Sequence, residues 1–251
     1  MTGRGPRTTA KGSGRRPPRK ARARGYVRSV VVNGRLPAFL LSVGLSVLVF
    51  GFLFSGDFPV RVVVVEGNKV AYADSIVERS GAMGESIFTL DTGAVAQRVA
   101  QHPAVASASV HAELPDTIVV NVTERIPVLV WQTGQDTVLV DERGGVIASG
   151  DDKSLPRVIQ TSGTSPAAGD HVPSDIVQAA TYLWKQMGSS LTALGYDSTT
   201  GLTAQLSGGR TVVLGSGDQI PLKMSVVSAA LKMSETWSRL DVRQPDRPFY
   251  Q

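Results

Sequence analysis

The chain contains no cysteine. Disulfide staples, thiol nucleophiles and cysteine-held metals are therefore excluded. Histidine is scarce as well. His102, His111 and His171 are the whole supply, and none pairs on a helix with another ligand type at i+3 or i+4, so a zinc site lacks its spacing. No G-x-S-x-G, S-x-x-K, phosphate-binding P-loop or G-x-G-x-x-G occurs. Gly215-Ser216-Gly217 has no Lys-Ser/Thr after it and reads as a turn. The carboxylate pairs Asp141-Glu142 and Asp151-Asp152 are adjacent in sequence, so in a strand they point to opposite faces and in a turn they are solvated. These absences point away from an enzyme and call for no cofactor and no metal.

Two further absences set the topology. Residues 1–35 hold eleven of the 26 Lys and Arg residues and no Asp or Glu. The remainder carries 15 basic against 21 acidic residues, a net charge of −6, so the overall pI near 9.7 belongs to the arm. The arm is rich in Gly, Pro, Ser and Arg, with too little apolar surface to fold, and reads as disordered. Tyr26 is its only aromatic, which leaves no stacking platform for bases. Attraction to anionic lipid is the simpler use of its charge, and no nucleic acid is expected as a partner.

Residues Leu36 to Ser55 carry no charge at all. As a helix they would span about 30 Å, the thickness of a hydrocarbon core. The run begins after an arm of 35 residues and lacks an A-x-A site, which argues against a cleaved signal peptide. The segment is predicted to be a retained transmembrane helix. Leu36, Phe39, Leu40, Leu41, Val43, Leu45, Val47, Leu48, Val49, Phe50, Phe52, Leu53 and Phe54 would meet the lipid bilayer. With the basic arm cytoplasmic, everything after residue 56 lies outside, in a single-pass, type II arrangement.

The polar part alternates short elements. Val60 to Val65 is a β-branched run, Ala71 to Ser80 a helix with Tyr72 and Ile76 one turn apart, and Asp91 or Thr92 caps a second helix ending before Pro103. Val105 to Ala112 and Thr117 to Thr123 are strands around Leu114-Pro115-Asp116. This β-α-α-β-β order predicts a three-stranded sheet under two helices. From Pro127 come strands at Val128–Gln132, Thr137–Asp141, Val146–Ala148 and Leu155–Ile159, then a loop over 160–173. Ser174 is the expected cap of a helix over Asp175–Met187. Strands near Leu191–Tyr196, Leu202–Leu206 and Arg210–Leu214 follow. A last helix runs from Pro221 to about Arg239, with Leu222, Val226, Ala229, Ala230, Met233 and Trp237 as its apolar stripe. Leu240 to Arg243 is a closing strand. The fold class is α+β: a transmembrane helix, a small β-α-α-β-β domain over 58–126, a second, mostly antiparallel α+β domain over 127–243, and an extended tail over 244–251.

Without a catalytic constellation, such modules suggest binding through strand edges. Several stretches carry a resemblance. They are Val64-Val65-Glu66-Gly67-Asn68, Gly84-Glu85-Ser86-Ile87-Phe88, His102-Pro103-Ala104-Val105, and Leu114-Pro115-Asp116-Thr117-Ile118 leading to Glu124-Arg125-Ile126-Pro127. Leu139-Val140-Asp141 with Gly144-Gly145-Val146-Ile147, Leu240-Asp241-Val242-Arg243 and Pro245-Asp246-Arg247-Pro248 complete the set. In order and spacing they resemble the bacterial cell-division FtsQ (DivIB) family, whose first outer module is a polypeptide-transport-associated (POTRA) domain. The resemblance implies a non-enzymatic divisome scaffold concentrated at the septum. It also implies that FtsB/DivIC-type and FtsL-type partners bind the outer domain, with other divisome members on the POTRA part. Carried onto this chain, the partner-binding residues are Leu240, Asp241, Val242, Arg243, Gln244, Arg247, Phe249 and Tyr250. Pro245 and Pro248 remove two backbone donors, so strand addition continuing past Gln244 is not expected. An envelope secretion or assembly component using a POTRA module is the alternative class.

Overall fold

The structure, a computed structural model, describes Gly3 and residues 35–54, 58–233 and 237–251. The basic arm of residues 1–34 lies outside the described residues, Gly3 apart. The chain divides into Met1–Ser55 and Gly56–Gln251.

Among the described residues of the first unit, helix α1 runs Arg35–Leu53. Its described apolar side chains are exposed, Leu41 and Leu48 each 72%. At 19 residues it is about 28 Å long. Among the described residues no helix is long and apolar enough to cross a membrane.

The second unit begins with β1 (Val62–Glu66), α2 (Ala73–Ser80), α3 (Thr92–Ala100), β2 (Val105–Glu113) and β3 (Thr117–Glu124). The sheet order is β1-β3-β2, with β1 parallel and β2 antiparallel to the central β3. Alternation along β3 puts Ile118, Val120 and Val122 under the helices, where Ile76, Val95 and Val99 meet them fully buried. Asp91 caps α3 by accepting from the Ala94 N–H at 3.0 Å, and Gly81 ends α2 at φ 59°. Tyr72 does not share the buried stripe of Ile76. It precedes α2 and is 84% exposed, because the helix begins two residues later than its apolar spacing suggests.

The remaining elements are β4 (Pro127–Thr133), β5 (Asp136–Asp141), β6 (Val146–Ser149), β7 (Arg157–Gln160), α4 (Ser174–Met187), β8 (Leu191–Asp197), β9 (Gly201–Leu206), β10 (Arg210–Gly215), α5 (Ile220–Leu231), β11 (Arg239–Asp241) and β12 (Phe249–Tyr250). They form a nine-stranded sheet in the order β12-β11-β10-β9-β8-β7-β4-β5-β6. The β4/β7, β7/β8 and β10/β11 pairs are parallel and the other five antiparallel. Helices α4 and α5 feed one core with the strands and therefore lie on the same face. Ser174 is the first residue of α4 rather than its cap, and Pro173 precedes it without a side-chain bond.

The last helix departs from its sequence reading. It stops at Leu231, and its buried side is Ile220, Lys223, Met224, Val227 and Ala230. Leu222, in the expected apolar stripe, is 46% exposed. The reason is Lys223. Its Nζ donates to the carbonyls of Leu214 at 2.8 Å and Ser216 at 2.9 Å, which turns the lysine inward and the leucine out. Trp237 is buried but stands beyond the helix, with Nε1 donating to the Ala230 carbonyl at 3.1 Å.

The two modules share side chains. Leu139, Ile147 and Ala148 of β5 and β6 pack with the core under α2 and α3. Arg125 reaches across to Asp141 at 2.8 Å. Asp141 also accepts from the Arg143 N–H at 2.9 Å and the Gly145 N–H at 2.8 Å. Burial works to raise the Asp141 pKa, but those donors and the guanidinium hold it below the usual carboxylate range. Farther in, the Glu124 carboxylate takes the N–H groups of Lys69, Val70 and Ala71. Gly67 stands there because a Cβ would lie 2.3 Å from the Val122 carbonyl oxygen.

Candidate partner interface

The C-terminal end of the sheet is built from Trp237 onward. β11 lies parallel to β10, with Val212 opposite Leu240. Leu240 is 1% exposed and Val242 0%, so both belong to the core. The side of the closing strand where Leu240–Arg243 are expected to take a partner strand is occupied by the chain's own last residues. The tail does not stay extended either. Arg247 N–H donates to the Gln244 carbonyl at 3.0 Å, closing a turn, and Phe249–Tyr250 return antiparallel to β11. Gln251 then exchanges bonds with Arg239 at 2.9 and 3.1 Å. β11 is therefore an interior strand, and β12 ends the sheet order.

This hairpin was legible in part. Pro245-Asp246-Arg247-Pro248 is a turn sequence between the apolar pairs Leu240/Val242 and Phe249/Tyr250. The prolines exclude one continuous strand. They instead sit in the turn and at the start of an edge strand, where a missing N–H is tolerated.

The side chains sort into two groups. Arg243 is already engaged: its Nε and Nη2 fork onto the Asp241 carboxylate at 3.0 and 2.7 Å, and its N–H adds a third donor. That pairing, above all, draws the Asp241 pKa down and raises that of Arg243. Arg243 also lies against Gly215, where a Cβ would come within 2.8 Å of its Cγ. Its aliphatic part thus packs on the last residue of β10. Arg247 and Phe249 face outward, Phe249 at 66% exposure, and with Asp241, Arg243 and Gln244 they line a concavity of about 430 Å³. Among the described residues no carboxylate lies within ion-pair distance of the Arg247 guanidinium.

The histidines do not converge. His102 lies 3.2 Å from the Ser75 hydroxyl and His111 3.5 Å from Glu113, while His171 sits in an isolated bridge to Gly145.

Residues 58–125 match the family model described as POTRA domain, FtsQ-type, and residues 129–243 match that of the FtsQ/DivIB C-terminal domain. The chain belongs to the FtsQ/DivIB family of cell division proteins. A cell division protein FtsQ of Mycobacteroides abscessus is 31% identical over 214 residues, 83% of this chain and 66% of the relative's own length. The FtsQ of Streptomyces venezuelae is 29% identical over 223 residues, covering 84% of this chain and 82% of the relative. That of Chloroflexus aurantiacus is 25% identical over 234 residues, covering 90% and 85%. The POTRA-type match covers the three-stranded module, and the C-terminal match ends at Arg243, just before the turn that carries Arg247.

Proposed function

We propose that this FtsQ-family chain is a non-enzymatic scaffold of the division machinery. It is anchored in the cell membrane by α1, with its arm cytoplasmic and its outer domain at the septum. FtsB/DivIC-type and FtsL-type proteins are its partners, and the sheet end at β11–β12 is where a partner strand adds. The observation that carries this reading is the hairpin itself. It brings Arg247 and Phe249, both exposed, to the last strand of a nine-stranded sheet. An added strand there gains backbone bonds from the sheet and side-chain selectivity from this cation and this ring. The outer part is acidic overall, so an acidic partner residue meets its local complement at Arg247 and not in the general field.

Copurification of the partner with full-length protein tests this. Deleting residues 245–251 abolishes capture, and Arg247→Glu weakens it about tenfold, with the same thermal midpoint as wild type for the point variant. Unchanged capture by both variants would sink the proposal. Truncation before Leu240 is no test, because it removes core side chains.

The anchor is tested separately. The support is the uncharged run Leu36–Ser55, about 30 Å long as a helix, and the exposure of the described apolar side chains of α1. Leu45→Arg together with Leu48→Arg places two cations near the middle of the span, at a cost of about 2.5–3.5 kcal/mol each. The double variant is expected in the soluble fraction after alkaline extraction of membranes, where the wild type stays pelleted. Equal retention of the two would remove α1 as the anchor.

A further inference from the structure

The chain enters its second unit at one end of the three-stranded module, and two other segments converge there. The Val60 N–H donates to the Glu85 carbonyl at 2.8 Å, and the Gly84 N–H donates back to the Val60 carbonyl at 2.9 Å. From the other side the Asp116 carbonyl accepts the Arg61 N–H at 2.8 Å. The entering chain is thus flanked by residues 83–86 and by the turn that joins β2 to β3.

This end carries exposed apolar side chains. Leu114 is 68% exposed, Met83 54% and Val62 46%. Leu114 and the exposed Pro115 sit at the tip of the β2–β3 hairpin, a place where small polar residues are the usual choice. Single exposed aliphatic residues are ordinary on a protein surface. What sets these three apart is where the chain puts them. Four peptide steps separate Phe54, the last described residue of the first unit, from Phe58, where the description of the second resumes. Fully extended, four steps reach about 14 Å.

The charges at the same end are mixed. Arg61 is exposed, and among the described residues no carboxylate lies within ion-pair distance of it. Glu85 and Glu113 are exposed as well, Glu113 at 3.5 Å from His111. A guanidinium on a long stem can reach a phosphate while its methylenes stay on apolar surface. The two carboxylates oppose a wholly anionic surface and match an ammonium.

We propose that this entry end rests on the bilayer, with Leu114 and Met83 in the headgroup region, Arg61 on lipid phosphate, and Glu85 and Glu113 among ammonium headgroups. The matching lipid is zwitterionic, with both charges in one headgroup, as in phosphatidylethanolamine. This contact rests on the reading of α1 as the membrane anchor. The tether supplies the high local concentration that a patch of three aliphatic side chains lacks by itself. The contact in turn removes rotational freedom that a tether alone would leave to the second unit.

The test uses full-length protein in vesicles of phosphatidylethanolamine and phosphatidylglycerol, with an aliphatic photoreactive residue at position 114. The control position is Tyr72, 84% exposed and next to the Lys69–Ala71 segment held by Glu124. Glu124 ends β3 about 23 Å from Thr117, so this is the opposite end of the module. Lipid adducts are expected from position 114 at several times the yield from position 72. Met83→Glu and Arg61→Glu should each lower the yield at 114 several-fold at an unchanged thermal midpoint, and so should vesicles of phosphatidylglycerol alone. Met83→Gln replaces Met83→Glu if that variant melts early. In vesicles with which the protein floats, three results would each overturn the contact and leave the anchor standing: equal yields from the two positions, a yield that both variants leave unchanged, or one as high on phosphatidylglycerol alone. Protein that does not float with the vesicles would overturn the anchor and the contact together.

Discussion

Ile147→Ala is expected to destabilise the whole of the second unit by about 2–5 kcal/mol. Ile147 belongs to β6 of the large sheet, yet its side chain, 1% exposed, sits in the core beneath α2 and α3. Cutting it back leaves a cavity at the joint between the modules, where neither can relax alone. The chain supplies its own reporter. All three tryptophans, Trp131, Trp184 and Trp237, lie in the second module, so fluorescence follows that module while far-ultraviolet circular dichroism follows both. In denaturant titrations the two signals should move together to a lower midpoint. A variant in which only the dichroism shifts, ahead of fluorescence, would mean that the modules unfold separately.

Asp141→Asn should cost about 2–3 kcal/mol at neutral pH and change the pH dependence of stability. The carboxylate is the common acceptor for Arg125, Arg143 and Gly145, and Asp141 is 6% exposed. The upper part of the usual range for a buried pair is discounted because the Arg125 side chain is 35% exposed and solvent screens it. The folded pKa is depressed relative to the unfolded one, against the opposing effect of burial. The stabilisation is therefore fully present above the unfolded value of about 4, and it is lost as pH falls through the folded value. The gap between wild type and variant should be constant from pH 8 to about 5 and then close as acid titrates the wild type. A gap independent of pH down to the acid transition would assign the effect to lost packing rather than to the charge.

Much of this architecture is written in local patterns. The alternation Ile118-Val119-Val120-Asn121-Val122 announces its strand, and Asp91 and Gly81 mark helix ends by side-chain and backbone chemistry that acts over a few residues. What was not legible depends on tertiary partners. Lys223 looks like a surface lysine until the carbonyls of Leu214 and Ser216 are placed over it. Only then does Leu222 turn outward. Ile147 reads as an ordinary strand residue, because nothing nearby in sequence says that its face belongs to the other module. The tail failed for a related reason. Pro245 and Pro248 forbid a continuous strand, but a strand can also stop, turn and return. Whether Phe249 and Tyr250 fray or pair is decided by Arg239 and Asp241, residues whose own strand is fixed by β10. Arg243, which the family ending singles out, is paired with Asp241 two positions away and stands beside Arg247 in one concavity, a neighbourhood made by the turn and not by sequence spacing.

Docking of a division partner on the β11–β12 hairpin is open to in-cell photo-cross-linking scanned along residues 237–251. Cross-links to an FtsB/DivIC-type protein are expected from Arg247 and Phe249, and none from Leu240 and Val242, whose side chains are in the core. Partner cross-links from neither Arg247 nor Phe249, in cells where the protein is at the septum, would contradict it.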